Sequence, residues 1–252
     1  MCWLASCELI VKLANYIFNM DRGTLIFLAR LAEVAERYGE MMDHMKAVAV
    51  NFEDELSTED GNLIAVAFKN EMVSRRAAWR VIQAMESNAK DPHQAAAIHA
   101  YRLNIEGEVR ELGLEVLATI DDHILPKTTS VESQAFFHKM KGDYYRYMAE
   151  IDTQSNNESA KLGLASYDKA WSVVTTELPP THPLRLGLAL NFSVFYSDIM
   201  NSPDRAIQLA KQSFDDAIEE LDALSEDNYR DTTLIMQLLR DNVTLWSAQD
   251  EE

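Results

Sequence analysis

Apolar residues recur along this chain at intervals of three and four, and nowhere in a sustained alternation. That period belongs to helix faces, not strands. From Thr24, the residues Leu25, Leu28, Leu31 with Ala32, and Ala35 share one face, with Glu33, Glu36 and Arg37 opposite. A second helix is predicted over about 38–52 on Met41, Met42, Met45 and Val48. Ser57 is a helix-cap candidate and Asp60 brings negative charge to the first turn. The long helix behind it carries Leu63, Val66, Ala67, Lys69, Arg75, Arg76, Trp79 and Arg80, until Lys90-Asp91-Pro92 breaks it. Another is predicted from Pro92 to Ile124. A polar start at 128–132 opens the next, whose Phe136, Met140, Tyr144 and Tyr147 are spaced four, four and three. Further helices are predicted over about 160–177, 184–200, 203–224 and 230–247, with Pro203 placed for a helix start. The reading is nine helices and no strand. Their lengths are too uneven for a regular solenoid, which leaves a bundle or a curved helical array.

Composition agrees with this picture. Only 8 Gly and 6 Pro occur in 252 residues, so little interrupts a helix. The formal net charge of -18 repels nucleic acid and anionic membranes, and neither is expected as a partner. A site for an anion would have to be a local cluster of cations. Residues 1–20 are apolar, but too short and too interrupted by Glu8, Lys12 and Asn15 to span a bilayer. They also lack the basic start and cleavage site of a signal peptide. They read as translation from an upstream start, with Met20 the true initiator, or else as an extra amphipathic helix. Cys2 and Cys7 offer neither a disulfide framework nor a zinc spacing, so a reducing, cytoplasmic setting is expected.

Candidate chemistry lies on three stripes. Lys69 and Arg76 are seven residues apart and project from one helix face, with Arg80 close to it. Arg146 and Tyr147 close the run Lys139-Met140-Lys141-Gly142-Asp143-Tyr144-Tyr145-Arg146-Tyr147, and both are donors to a phosphate oxygen. Each pair also has an ordinary reading as an ion-paired helix face, through Glu71 for the first, and through Asp143 and Glu150 for Arg146. The third stripe is Ile235, Leu238, Asn242 and Trp246, matched by Leu190, Asn191 and Val194. It is either core with a satisfied amide or the wall of a groove in which the two asparagines hold a peptide backbone. The six histidines are scattered, and no His-Glu-x-x-His, Gly-rich phosphate loop or Gly-x-Ser-x-Gly occurs, so no metal, cofactor or catalytic residue is assigned.

Long blocks of the chain resemble the 14-3-3 family: Leu31-Ala32-Glu33 with Ala35-Glu36-Arg37-Tyr38, Arg75-Arg76 with Trp79-Arg80, Met140 to Tyr147, Thr181-His182-Pro183 with Arg185 to Tyr196, and Thr233 to Asn242 with Thr244-Leu245-Trp246. The resemblance covers about 25–247. It implies an all-α protomer of nine antiparallel helices, with a cup-shaped amphipathic groove that binds phosphoserine or phosphothreonine segments of client proteins. In that scheme Lys69, Arg76, Arg146 and Tyr147 take the phosphate. Asn191 and Asn242 hold the peptide backbone, and Leu190, Val194, Leu234, Ile235, Leu238 and Trp246 form the apolar wall. A homodimer is implied through Leu31, Ala35, Ile82 and Tyr101, with Arg37 and Glu108 matching an intersubunit ion pair.

The departures also carry expectations. Ala78 replaces a serine that can be phosphorylated in the family, so that switch is absent. Asn104 replaces a lysine that often faces the acidic partner at Glu40. Phe27 and Leu28 replace residues that are usually polar. The domain reading is an extension over 1–20, a helical domain over 21–248 and an acidic tail over 249–252. The resemblance implies an adaptor and not an enzyme; the competing reading is a helical-repeat scaffold that binds peptides without phosphate.

Overall fold

The computed structural model describes residues 20–152, 157–221, 224 and 226–249. Among these residues lie nine α-helices and no strand: α1 (Arg22–Val34), α2 (Tyr38–Asn51), α3 (Thr58–Ser87), α4 (Pro92–Thr119), α5 (Val131–Ile151), α6 (Glu158–Glu177), α7 (Pro183–Asp198), α8 (Pro203–Glu220) and α9 (Glu226–Gln249). The N-terminal extension up to residue 19 and residues 250–252 of the acidic tail lie outside the described residues. No helix among those described is long and apolar enough to cross a membrane.

Side-chain caps set most helix starts. Ser57 Oγ accepts from the Asp60 backbone N–H at 3.1 Å, as its position predicts. Asp21 Oδ1 accepts from the Thr24 N–H at 3.0 Å, so α1 begins two residues before the apolar pattern does. Asp91 and Asn157 cap α4 and α6 in the same way.

The helix ends depart more from the predicted pattern. The stretch from Pro92 to Ile124 is not uniform: α4 gives way to a π turn over Ile120–Ile124 and a 3₁₀ turn over Leu125–Lys127. The Leu125 N–H bonds back to Ile120 O, five residues away, and Pro126 has no N–H with which to continue an α-helix. At the end of α1, Glu36 adopts φ 55°. The Arg37 N–H reaches Ala32 O at 2.8 Å and the Glu36 N–H reaches Glu33 O at 3.0 Å. This is a Schellman closure with glutamate where glycine is the usual residue. At the other end of the chain, α8 stops earlier and α9 starts earlier than the periodicity suggests.

Two compact units divide the chain, Met1–Thr129 and Ser130–Glu252. In the first, Leu25, Met41, Met45, Ile64, Phe68 and Met72 are fully buried. The buried face of α1 is Leu25, Ala29 and Ala32, so Leu31 and Ala35 turn outward instead of joining the core. Asp60, buried at the head of α3, accepts from Arg22 Nη2 and from Ser57 Oγ, both at 2.7 Å. Lys127 Nζ donates to Ala49 O at 2.9 Å and Phe52 O at 2.5 Å, which satisfies carbonyls at the end of α2.

The second unit holds two apolar clusters. One gathers Tyr167, Phe192 and Phe195 with Ala135, Ala170, Val174 and Leu188. The other joins Leu186, Met236, Leu239 and Trp246 to Ala206, Ala210 and Ala217 of α8. The small alanine face of α8 lets its neighbours approach closely. A buried hydrogen bond from Thr232 Oγ1 to Thr181 O, at 3.0 Å, ties α9 to the loop before α7.

Candidate functional site

Arg146 sits one turn after Asp143 on α5, the spacing at which helix side chains meet. Their ion pair is 3.6 Å long and largely buried. Lys139, one turn earlier, donates to the other carboxylate oxygen of Asp143 at 2.9 Å. Two further helices contribute donors to this carboxylate. The Tyr167 hydroxyl of α6 donates to Asp143 Oδ1 at 2.6 Å, and Asn191 Nδ2 of α7 donates to the same oxygen at 2.8 Å. Arg146 Nε in turn donates to the Tyr167 hydroxyl at 3.2 Å. The guanidinium lies over the Tyr147 ring, 4.7 Å from its centroid.

Electrostatics follow from these contacts. Burial opposes a charge on Asp143, but Lys139 and Arg146 beside it, helped by the Tyr167 hydroxyl, hold its carboxyl below the usual carboxylate range. Burial likewise opposes the charge on Arg146, and Tyr167, Asp143 and Tyr147 outweigh it and raise its pKa. The Tyr167 phenol is pushed well up by burial first and by Asp143 second, so it stays a neutral donor. Arg146 is therefore a permanent cation gripped along one edge. Such a group is suited to an oxyanion with several acceptors, phosphate above all.

The structure thus brings Arg146 and Asn191 together at Asp143, with the Tyr147 ring beneath the guanidinium. The ordinary reading of Arg146 as an ion-paired residue is correct as far as it goes. Tyr167 and Gly142 were not singled out from the sequence. A Cβ at Gly142 would lie 2.6 Å from the Tyr167 ring, so only glycine allows the ring this close to α5. A glycine inside an otherwise strong helix was the one available signal.

Lys69 and Arg76 lie on α3 in the first unit, Lys69 exposed and Arg76 half-buried. Glu71, their suspected ion-pair partner, is held by Arg75, which also donates to Glu71 O at 2.9 Å.

The apolar wall splits in two. Leu190, Val194 and Ile235 pack against the second cluster, and Trp246 is 5% exposed within it. Leu234 and Leu238 are 64% and 45% exposed. Asn242 is half-buried beside them on α9. In the first unit, Leu31, Ala35 and Tyr101 are exposed and Ile82 is half-buried. Arg37 pairs with Glu40 of its own chain, and Glu108 accepts from Asn104 at 2.9 Å.

A family model described as 14-3-3 protein matches residues 28–247. Over 239 residues the chain is 53% identical to Protein BMH2 of Saccharomyces cerevisiae, an alignment that covers 93% of this chain and 87% of that protein. It is 52% identical over 238 residues to 14-3-3 protein 8 of Solanum lycopersicum, covering 93% and 91%. It is 52% identical over 235 residues to a 14-3-3 protein homolog of Candida albicans, covering 92% and 89%.

Proposed function

Because this chain belongs to the 14-3-3 family, whose members are phosphopeptide-binding adaptors and not enzymes, we propose that Lys69, Arg76, Arg146 and Tyr147 each contribute to holding the phosphate of a phosphoserine or phosphothreonine client. The observation that carries this assignment is the arrangement around Arg146: a buried, permanently charged guanidinium fixed by Tyr167 and stacked on Tyr147. A phosphorylated side chain supplies roughly -1.5 to -2 charges and three acceptor oxygens. A neutral serine supplies neither, so discrimination follows from the cost of desolvating cations that gain no partner. Asn191 and Asn242 serve the client backbone. Leu190, Val194, Leu234, Ile235, Leu238 and Trp246 serve its apolar side chains, and the exposure of Leu234 and Leu238 supports that role.

The test is fluorescence anisotropy with one labelled peptide, phosphorylated and unphosphorylated. Tight binding is expected for the first alone, and Lys69→Gln is expected to weaken it about tenfold, the loss of one charge-assisted hydrogen bond. Equal affinity for both peptides would instead indicate a phosphate-independent scaffold.

Family membership implies client binding and dimerisation, and we assign the pairing to a homodimer through Leu31, Ala35, Ile82 and Tyr101, with Arg37 and Glu108 at its edge. The exposed apolar side chains of Phe27, Leu31, Val34 and Tyr101 support it. Sedimentation velocity should give a dimer for the wild type. Leu31→Glu should shift it toward monomer, because a carboxylate would be buried without a partner; a Leu31→Glu protein that sediments as the wild type does would move the interface elsewhere. Two grooves in one dimer raise avidity for doubly phosphorylated clients through effective concentration. A cytoplasmic location belongs to the same reading and is supported by the cysteine usage.

A further inference from the structure

We propose that Tyr167 and Asp143 are positioning residues for phosphopeptide binding: one buried carboxylate sets the amide that meets the peptide backbone directly and, through one phenol, the guanidinium that meets the phosphate. The inference rests on the assignment of Arg146 and Asn191 made above. Neither Tyr167 nor Asp143 touches the client in this scheme.

The argument is geometric. Asp143 Oδ1 accepts from Tyr167 at 2.6 Å and from Asn191 Nδ2 at 2.8 Å. The donation from Asn191 fixes the rotation of its amide, and with it the direction in which the amide oxygen points. The same Tyr167 oxygen accepts from Arg146 Nε at 3.2 Å. A guanidinium carries five N–H donors in a rigid plane, so holding Nε fixes the direction of the whole fork. The phenol cannot drift, because its ring is fully buried. It stacks on Phe192 at 5.1 Å, meets Phe195 at 5.3 Å and lies against the bare Cα of Gly142. Lys139 occupies the second oxygen of Asp143 at 2.9 Å, which holds the carboxylate against rotation. The packed phenol and the carboxylate it donates to therefore set two groups that belong to different helices.

Tyr167→Phe removes the relay and keeps the ring. Anisotropy with the phosphopeptide and its unphosphorylated twin is measured on the wild type, Tyr167→Phe, Arg146→Ala and the double variant. Tyr167→Phe should lose about tenfold in phosphopeptide affinity while its helical circular dichroism is retained. In the Arg146→Ala background the same change should cost no more than about threefold, because the guanidinium it positions is gone. General loosening of the unit would cost the same in both backgrounds. If Tyr167→Phe does not fold, Asp143→Asn, which keeps the side-chain size, is measured in the wild type and in an Arg146→Ala/Asn191→Ala background, where both groups it orients are gone and its cost should again shrink to about threefold or less. Wild type that binds both peptides equally would overturn the phosphate assignment, and this inference with it. Wild type that discriminates, beside a Tyr167→Phe variant that binds as tightly or loses equally in both backgrounds, overturns this inference alone.

Discussion

Arg146→Ala is expected to lower phosphopeptide affinity by about a hundredfold while leaving the helical fold in place. Truncating one partner of a buried, charge-assisted pair costs on the order of 3 kcal/mol in binding, which is roughly a hundredfold. The fold should survive because Asp143 is not stranded: Lys139, Tyr167 and Asn191 still donate to it. The pH profile adds a second signature. Arg146 has a raised pKa and Asp143 a lowered one, so both keep their charge well to either side of neutrality. The group that titrates is then the client phosphate, with a second pKa of about 6. Wild-type affinity should weaken as the pH falls through that value, and the Arg146→Ala variant should show a shallower slope. Titration calorimetry across pH 5 to about 8 would check both. An Arg146→Ala protein that binds like the wild type would remove Arg146 from the phosphate site.

Gly142→Ala is expected to destabilise the protein by about 2 kcal/mol, the middle of the usual cost of overpacking a core. In a chain of this size that lowers the melting temperature by roughly 4–8 °C. Alanine is intrinsically the better helix former, so a loss here has to come from packing. The new methyl would lie 2.6 to 2.8 Å from three atoms of the Tyr167 ring, including the one that anchors it. Phe192 and Phe195 leave that ring nowhere to go. Gly187 provides the contrast, since a Cβ there meets nothing within 4 Å. Gly187→Ala should therefore be neutral or stabilising, by up to about 1 kcal/mol. Thermal unfolding of the two variants separates the effects by sign. A Gly142→Ala protein as stable as the wild type would mean that α5 and α6 can part without cost.

Apolar spacing and capping chemistry made the nine helices legible, because both act within one turn. Ser57 is the plainest case, its cap bond lying where the sequence places it. Asp21 was missed because a cap lies outside the apolar pattern that it starts. The π turn was missed because one extra residue in a helix leaves no periodic trace, and only Pro126 hinted at it. The exposed Leu31 and Ala35 share the helical period of α1 but not its buried face, which a one-dimensional pattern cannot separate when two apolar faces adjoin. Arg146 and Tyr147 stood out by residue type. The environment of Arg146 did not, since Tyr167 is 21 residues further on and Asn191 is 48 residues from Asp143. Hydrogen bonds between helices depend on how those helices dock, and that is written in core residues such as Phe192 and Gly142, not in any local motif.

The shared acceptor has a consequence for when the protein becomes competent. Asp143 collects donors from α5, α6 and α7, and Phe192 of α7 packs on the Tyr167 ring that holds Arg146, so the aim of Arg146 and Asn191 depends on all three helices being docked. On the proposed assignment, a chain with α6 or α7 undocked should bind phosphopeptide poorly, because Arg146 and Asn191 then lack the partners that orient them. Phosphopeptide capture should therefore arise with completion of the unit and not before it, an order that refolding followed by peptide anisotropy would show.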